Sequence, residues 1–138
     1  GLAAPQIGKS GRIFAIKTPG LPIEFFINPK ITKVFNKKKV FPQMSKTDGS
    51  RENFLEGCLS FPKLYGTVKR WLRIKVEYQG ESLVKKKEVL EGFKAIVFQH
   101  ERDHLDGVLF VDHIKKEKGK LYREENGRLK KVSVNDIL

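Results

Sequence analysis

Apolar and polar positions alternate along Arg12–Lys17 (RIFAIK) and Arg73–Gln79 (RIKVEYQ), the period-two signature of a strand with one buried face. Gly80-Glu81-Ser82 interrupts the second pattern. Leu83–Leu90 then resumes it with apolar ends around Lys85-Lys86-Lys87, which predicts a hairpin with an exposed middle. Phe25–Asn28 and Ile31–Phe35 read as two further extended pieces that turn at Asn28-Pro29. After Gly92 the period changes: Phe93, Ile96, Val97, His100 and His104 recur at threes and fours, and Gly107 stands just past the last of them, where a helix ends. This is the one helix the pattern predicts. Lys120–Glu124 and Arg128–Val134 flank Asn126-Gly127, a favoured type I′ turn pair, so residues 120–134 are expected to close as a C-terminal hairpin. Residues 36–51, with Lys37-Lys38-Lys39, Pro42 and Asp48-Gly49, read as a long basic loop. The sum is an α+β domain of antiparallel strands around one central helix.

Length and composition narrow this further. The chain has 138 residues, 39% of them hydrophobic, enough for one core and too few for two, so residues 1–138 are expected to form a single domain. The apolar runs are only a few residues long, as at Ala95–Phe98, far short of the ~20 that a membrane-spanning helix needs. A single cysteine, Cys58, excludes an intrachain disulfide and leaves its thiol for packing, metal binding or catalysis. Lys and Arg number 28 against 16 Asp and Glu, a net charge of +12. Lysines cluster at Lys37–Lys39, Lys85–Lys87, Lys115-Lys116 with Lys118, and Lys130-Lys131. They offer a surface for RNA or for a transient ribosomal encounter. No RNA-reading fingerprint accompanies them, and the aromatic residues do not interleave with them, so a specific nucleic-acid site is not expected.

The strongest chemical signal is His100-Glu101-Arg102-Asp103-His104 on the predicted helix. Residues four apart lie one above the other, so both imidazoles can reach one ion while Glu101 leans toward its open coordination position. A reactive centre of this kind takes a third protein ligand. Cys58, in Glu56-Gly57-Cys58-Leu59-Ser60, is one candidate, because a thiolate binds zinc or ferrous iron strongly and Gly57 permits close backbone approach. As a lone cysteine it is equally a small buried hydrophobe. Asp103, Asp106 and Asp112 are carboxylate alternatives. Unaided, Gln6 reads as a loop residue and Leu59 as a core residue.

Three ordered segments, Gly1–Gly8 (GLAAPQIG), Glu56–Ser60 (EGCLS) and Gln99–Gly107 (QHERDHLDG), resemble the three motifs of the peptide deformylases. The resemblance extends from Gly1 to about Ile114 and implies a metal held by Cys58, His100 and His104 on an HExxH helix surrounded by antiparallel strands. Ferrous iron is the usual ion of that family, and zinc, nickel or cobalt can replace it. It implies Glu101 as general base and then acid, with the Gln6 side chain and the Leu59 backbone N–H stabilising the oxyanion. The implied reaction removes the N-formyl group from the N-terminal methionine of nascent chains and releases formate. An apolar slot for the methionine side chain is then expected, with Phe54, Phe93, Ile96 and Val97 as candidate lining. Gly1 would offer backbone hydrogen bonds to the peptide, and Glu56, Arg102 and Asp103 would orient ligands.

The family also has a helix and another glycine ahead of the first motif, whereas this sequence opens at Gly1 within that motif, without an initiator Met or a signal-peptide pattern. Either a segment precedes these residues or other packing replaces the helix, and the expected compartment is a bacterial or phage-infected cytoplasm, or an organellar matrix where a targeting segment lies upstream. Two rival functions remain at this stage. One is an HExxH peptidase cutting internal bonds, the other a metal-binding or ribosome-associated module without catalysis.

Overall fold

The computed structural model describes residues 1–8, 11–44 and 48–138. In chain order the elements are β1 (Leu2–Ala3), a 3-10 turn (Ala4–Ile7), β2 (Ile13–Ile16), β3 (Glu24–Val34), β4 (Pro42–Met44), β5 (Arg51–Asn53), β6 (Glu56–Cys58), β7 (Phe61–Gly66), β8 (Arg73–Gln79), β9 (Lys85–Glu91), α1 (Gly92–Leu105), α2 (Phe110–Glu117), β10 (Leu121–Glu125), β11 (Arg128–Val132) and α3 (Val134–Ile137). They fall into two compact units. Gly1–Lys38 with Trp71–Val108 forms the first, and Lys39–Arg70 with Leu109–Leu138 the second. The class is α+β with antiparallel sheets, as the pattern predicts.

In the first unit five strands pair in the order β1-β2-β3-β8-β9, and α1 packs against β1, β2, β8 and β9. The alternation that predicted β8 operates as expected: Ile74, Val76 and Tyr78 are buried while Arg73 and Lys75 face out. The β8–β9 hairpin keeps one register from Arg73↔Glu91 to Gln79↔Lys85. Phe14, Phe26 and Phe98 meet at the centre of the core with ring centroids 5.1 to 5.4 Å apart, within the range of favourable aromatic pairs, and Tyr78 joins Phe26 at 4.5 Å. The helix is thus locked to the sheet by Phe98, two residues before the first histidine.

Pro29 does not turn the chain. The pieces at 25–28 and 31–35 belong to one strand, β3, which runs through a buried Pro29 with register shifts against β8 between Ile27 and Lys30 and between Ile31 and Lys33. Asn28 adopts φ 51°, the left-handed region that asparagine tolerates, and its N–H donates to the Arg12 carbonyl at 2.8 Å. A bulge absorbs the residue that cannot donate to the ladder, and pairing resumes beyond it.

In the second unit the sheet order is β11-β10-β7-β6, beside a two-stranded ribbon of β4 and β5. Its core gathers Leu64, Val68, Phe110, Val111, Ile114 and Leu121. The C-terminal hairpin forms, with Asn126 at φ 52° and Gly127 at φ 76°, both positive as a type I′ turn requires. Two expectations are corrected here. Residues 36–51 are not uniformly loop, because Pro42–Met44 pairs with Arg51–Asn53 and Lys39 bridges Arg70; residues 45–47 lie outside the described residues. And α1 is not the only helix. In α2 the three buried positions Phe110, Val111 and Ile114 span too short a stretch to display a period, and the helix is capped by the Asp112 carboxylate, which accepts from Leu109 N–H at 2.8 Å.

Candidate metal centre

Helix α1 buries Ala95, Ile96, Phe98, Gln99, Glu101 and His104. Glu101 and His104 therefore occupy the stripe that apolar residues fill one and two turns earlier, which is why an ionisable pair ends up inside. Gln99 anchors this part of the helix. Its side chain accepts from Trp71 N–H at 3.1 Å and donates to the Trp71 carbonyl at 2.6 Å and the Ala95 carbonyl at 2.9 Å. The helix ends at Leu105, with Asp106 as its C-cap and Gly107 following at φ 73°.

The Nε2 atoms of His100 and His104 lie 3.2 Å apart. Two ligand nitrogens at ~2.0–2.1 Å from a tetrahedral ion would be separated by ~3.3 Å, so the pair fits a shared cation. His104 Nε2 is 3.8 Å from Glu101 Oε1. Glu101 is 2% exposed, and its Oε2 is buried with no hydrogen-bond partner. Burial pushes the Glu101 carboxyl above its ordinary range, while the His100 imidazole opposes the shift. A buried carboxylate oxygen without a donor beside two converging imidazoles is the arrangement that a hydrolytic metal site needs from its base.

The first motif supplies two more groups to the same unit. Gly1 lies so close to the base that a Cβ added there would sit 2.5 Å from Glu101 Oε2, and a side chain at this position would displace it. Gln6 is not in an open loop but in the 3-10 turn, where Oε1 accepts from Ala3 N–H at 2.8 Å. That bond orients the amide with Nε2 as its donor end. Phe93 exposes 47% of its surface, Ile96 is buried, and Val97 packs against the core of the first unit.

In the second unit Cys58 ends β6, where the ladder with β7 shifts between Gly57 and Cys58. Gly57 is required there because a Cβ would lie 2.8 Å from the Tyr65 ring. Leu59 is not a core residue: it sits in the tight β6–β7 connection, 80% exposed, so that its backbone and not its side chain is the chemically interesting part. Phe54 is half-buried against Phe41 at 6.1 Å between centroids. Glu56 forms a bidentate pair with Arg70, Nε to Oε2 at 3.0 Å and an Nη to Oε1 at 2.9 Å, both side chains buried. Arg70 escaped the sequence reading, and no spacing or motif in the chain points to its partner.

These features are those of an HExxH metal-dependent hydrolase. The profile of the polypeptide deformylase family matches residues 1–120. A peptide deformylase from Thermotoga petrophila is 42% identical over 125 residues, 91% of this chain and 68% of that protein. Among solved structures, one from Synechococcus elongatus in complex with actinonin is 34% identical with a TM-score of 0.68, covering 91% of this chain and 56% of that one. Another, from Thermus thermophilus, is 42% identical with a TM-score of 0.70 over 85% of this chain and 62% of that one. The chain thus spans less than two thirds of either crystallised protein. It belongs to the polypeptide deformylase family, whose members are metal-dependent hydrolases, and these relatives support a deformylase function for it. Among the described residues no helix is long and apolar enough to cross a membrane.

Proposed function

We propose that this chain hydrolyses the N-formyl group from the N-terminal methionine of nascent proteins, releasing formate, with one divalent ion held by Cys58, His100 and His104. The observation that carries the reading is the buried, unpartnered Oε2 of Glu101 beside histidine nitrogens 3.2 Å apart. The donor set of one thiolate and two imidazoles suits ferrous iron in the cell, with zinc, nickel or cobalt able to take its place on purification.

When bound, the ion supplies Lewis acidity, lowering the pKa of water and polarising the formyl carbonyl. Glu101 does the proton work. Its Oε2 takes a proton as water adds to the formyl carbon, and returns it to the amine nitrogen as the C–N bond breaks. Raised above the ordinary carboxylate range by burial, Glu101 is a stronger base than an exposed glutamate. The side-chain N–H of Gln6 and the backbone N–H of Leu59 donate to the oxygen that gains charge in the transition state. Gly1 keeps space open in front of Glu101 and presents its backbone to the peptide. Phe54, Phe93, Ile96 and Val97 line the methionine slot, and Glu56 holds the cysteine strand through Arg70.

The substrates are formyl-methionyl ends of nascent chains, met in the cytoplasm, and residues 1–138 act as one catalytic domain. The test is formate release from a formyl-Met tripeptide by protein purified anaerobically, with its metal quantified in the same sample. Release with about one ion per chain is expected. Metal without release would overturn the reading, and cleavage of a blocked, unformylated peptide would favour an internal peptidase.

A further inference from the structure

The outer face of the five-stranded sheet, opposite α1, is strongly basic over β3, β8 and β9. Strand register sets Lys33 opposite Lys75, Lys30 and Lys87 on either side of Glu77, and Lys85 opposite Gln79. Arg73 lies in the same face at the end of β8. The two acids present are neutralised, Glu77 by Lys87 at 3.2 Å and Glu91 by Arg73 at 3.0 Å. Lys30, Lys33, Lys75 and Lys85 have no ion pair among the described residues. Positive charge converges enough that the Glu77 carboxyl is held below its ordinary value, by the Lys87 hydrogen bond first and by Lys85 and Lys30 as well, against the opposing effect of burial.

We propose that this face binds RNA through its phosphate backbone, without base specificity. Neighbouring cations stand ~4.8 Å apart across strands and ~6.6 Å apart along them, a grid suited to successive phosphates. Asn28 and Gln79, joined by a 3.1 Å hydrogen bond, line a hollow of about 220 Å³ together with Lys30, Lys85, Tyr78 and the Lys87-paired Glu77. At the edge, Lys33 and Arg73 lie over the Phe35 ring, 4.9 and 4.7 Å from its centre, which holds both cations on this face. A protein partner would need apolar surface, and the outward positions of β8 and β9 offer Val89 alone, the further outward apolar residues Phe25 and Ile27 lying toward the start of β3. Such docking would bring an enzyme of nascent chains to an RNA-rich particle, and in this respect it rests on the function proposed above.

The test is fluorescence anisotropy with a labelled single-stranded RNA and an RNA hairpin over a salt series, using the whole chain. For four phosphate contacts the slope of log K against log salt is expected near about −3. Lys33→Gln/Lys75→Gln/Lys85→Gln should weaken binding at least about 10-fold and flatten the slope by about 2. Lys115→Gln/Lys116→Gln/Lys130→Gln, the same charge change on exposed lysines of the second unit, should weaken it less than about 3-fold. Formate release from a free tripeptide should be unchanged in both. Equal losses in the two triples, salt-independent binding, or tighter binding to phosphatidylserine-rich vesicles than to RNA would overturn the proposal. Loss of turnover with this binding pattern intact would sink the deformylase reading alone.

Discussion

Burial acts on Glu101 in two ways that favour catalysis: it removes competing hydrogen-bond donors from Oε2 and it raises the proton affinity of the carboxylate. Glu101→Gln keeps the shape and removes the base, so it should retain metal while turnover falls by at least about 100-fold. His100→Ala and Cys58→Ala should lose the metal as well, measured by elemental analysis on the same preparations. Undiminished formate release by Glu101→Gln would end the proposed mechanism. Tyr78 is perturbed for a structural reason. Its hydroxyl donates to Glu88 Oε1 at 2.7 Å, and burial first, then that bond and the charges of Glu88 and Glu24, raise its pKa well above 10. Below pH 10 the folded and unfolded chains both keep this proton, and the contribution to stability is complete. Above it the unfolded chain releases the proton first, so stability is lost as pH climbs toward the raised folded value. Urea titrations between pH 9 and 11 should show a steeper decline for the native chain than for Tyr78→Phe, which keeps the ring against Phe26; parallel declines would refute the assignment.

At the level of elements, the β6–β7 hairpin depends on a charge pair that sequence reasoning could not see. The side chains of Arg70 and Glu56 are each 4% exposed, and removing the guanidinium leaves a carboxylate buried without its partner. Arg70→Ala should cost about 3–5 kcal/mol in denaturant unfolding, whereas Arg73→Ala, on an exposed pair, should cost less than about 1 kcal/mol. Comparable losses would mean that the buried pair has no special weight. The contrast with α1 explains what was legible. His100, Glu101 and His104 announce themselves because one helical turn brings them together and local spacing encodes it. The β8–β9 hairpin was legible because alternation and a turn signal agree over adjacent residues. Gln6 and Leu59 needed the three-motif resemblance, since neither has a chemical signature of its own, and Cys58, a candidate by its thiol, needed it to be chosen over the carboxylates. Pro29 misled because a bulge and a turn share the same local residues, and only pairing with β8 distinguishes them.

Over the whole molecule the excess of 12 positive charges works against compactness, because folding brings like charges closer than the unfolded chain does. The basic face concentrates that effect: Lys33 stands directly opposite Lys75, a like-charge pair that a sheet does not favour. A surface kept for polyanion binding should therefore lower stability in low salt. Raising sodium chloride from about 0.01 to 0.3 M shortens the screening length from ~30 to under ~10 Å, and the melting temperature of the native chain should rise by a few degrees, the equivalent of about 1 kcal/mol. Lys33→Gln/Lys75→Gln/Lys85→Gln should melt higher than the native chain at low salt, with the gain disappearing at high salt. Lys115→Gln/Lys116→Gln/Lys130→Gln should gain less, since Lys115 and Lys116 lie on α2 and only Lys130 faces a cation across strands, Arg123. Scanning calorimetry on the three proteins at both salt concentrations decides it: equal gains would assign the repulsion to net charge alone, and a loss of stability in the sheet triple would show that its lysines hold the face together.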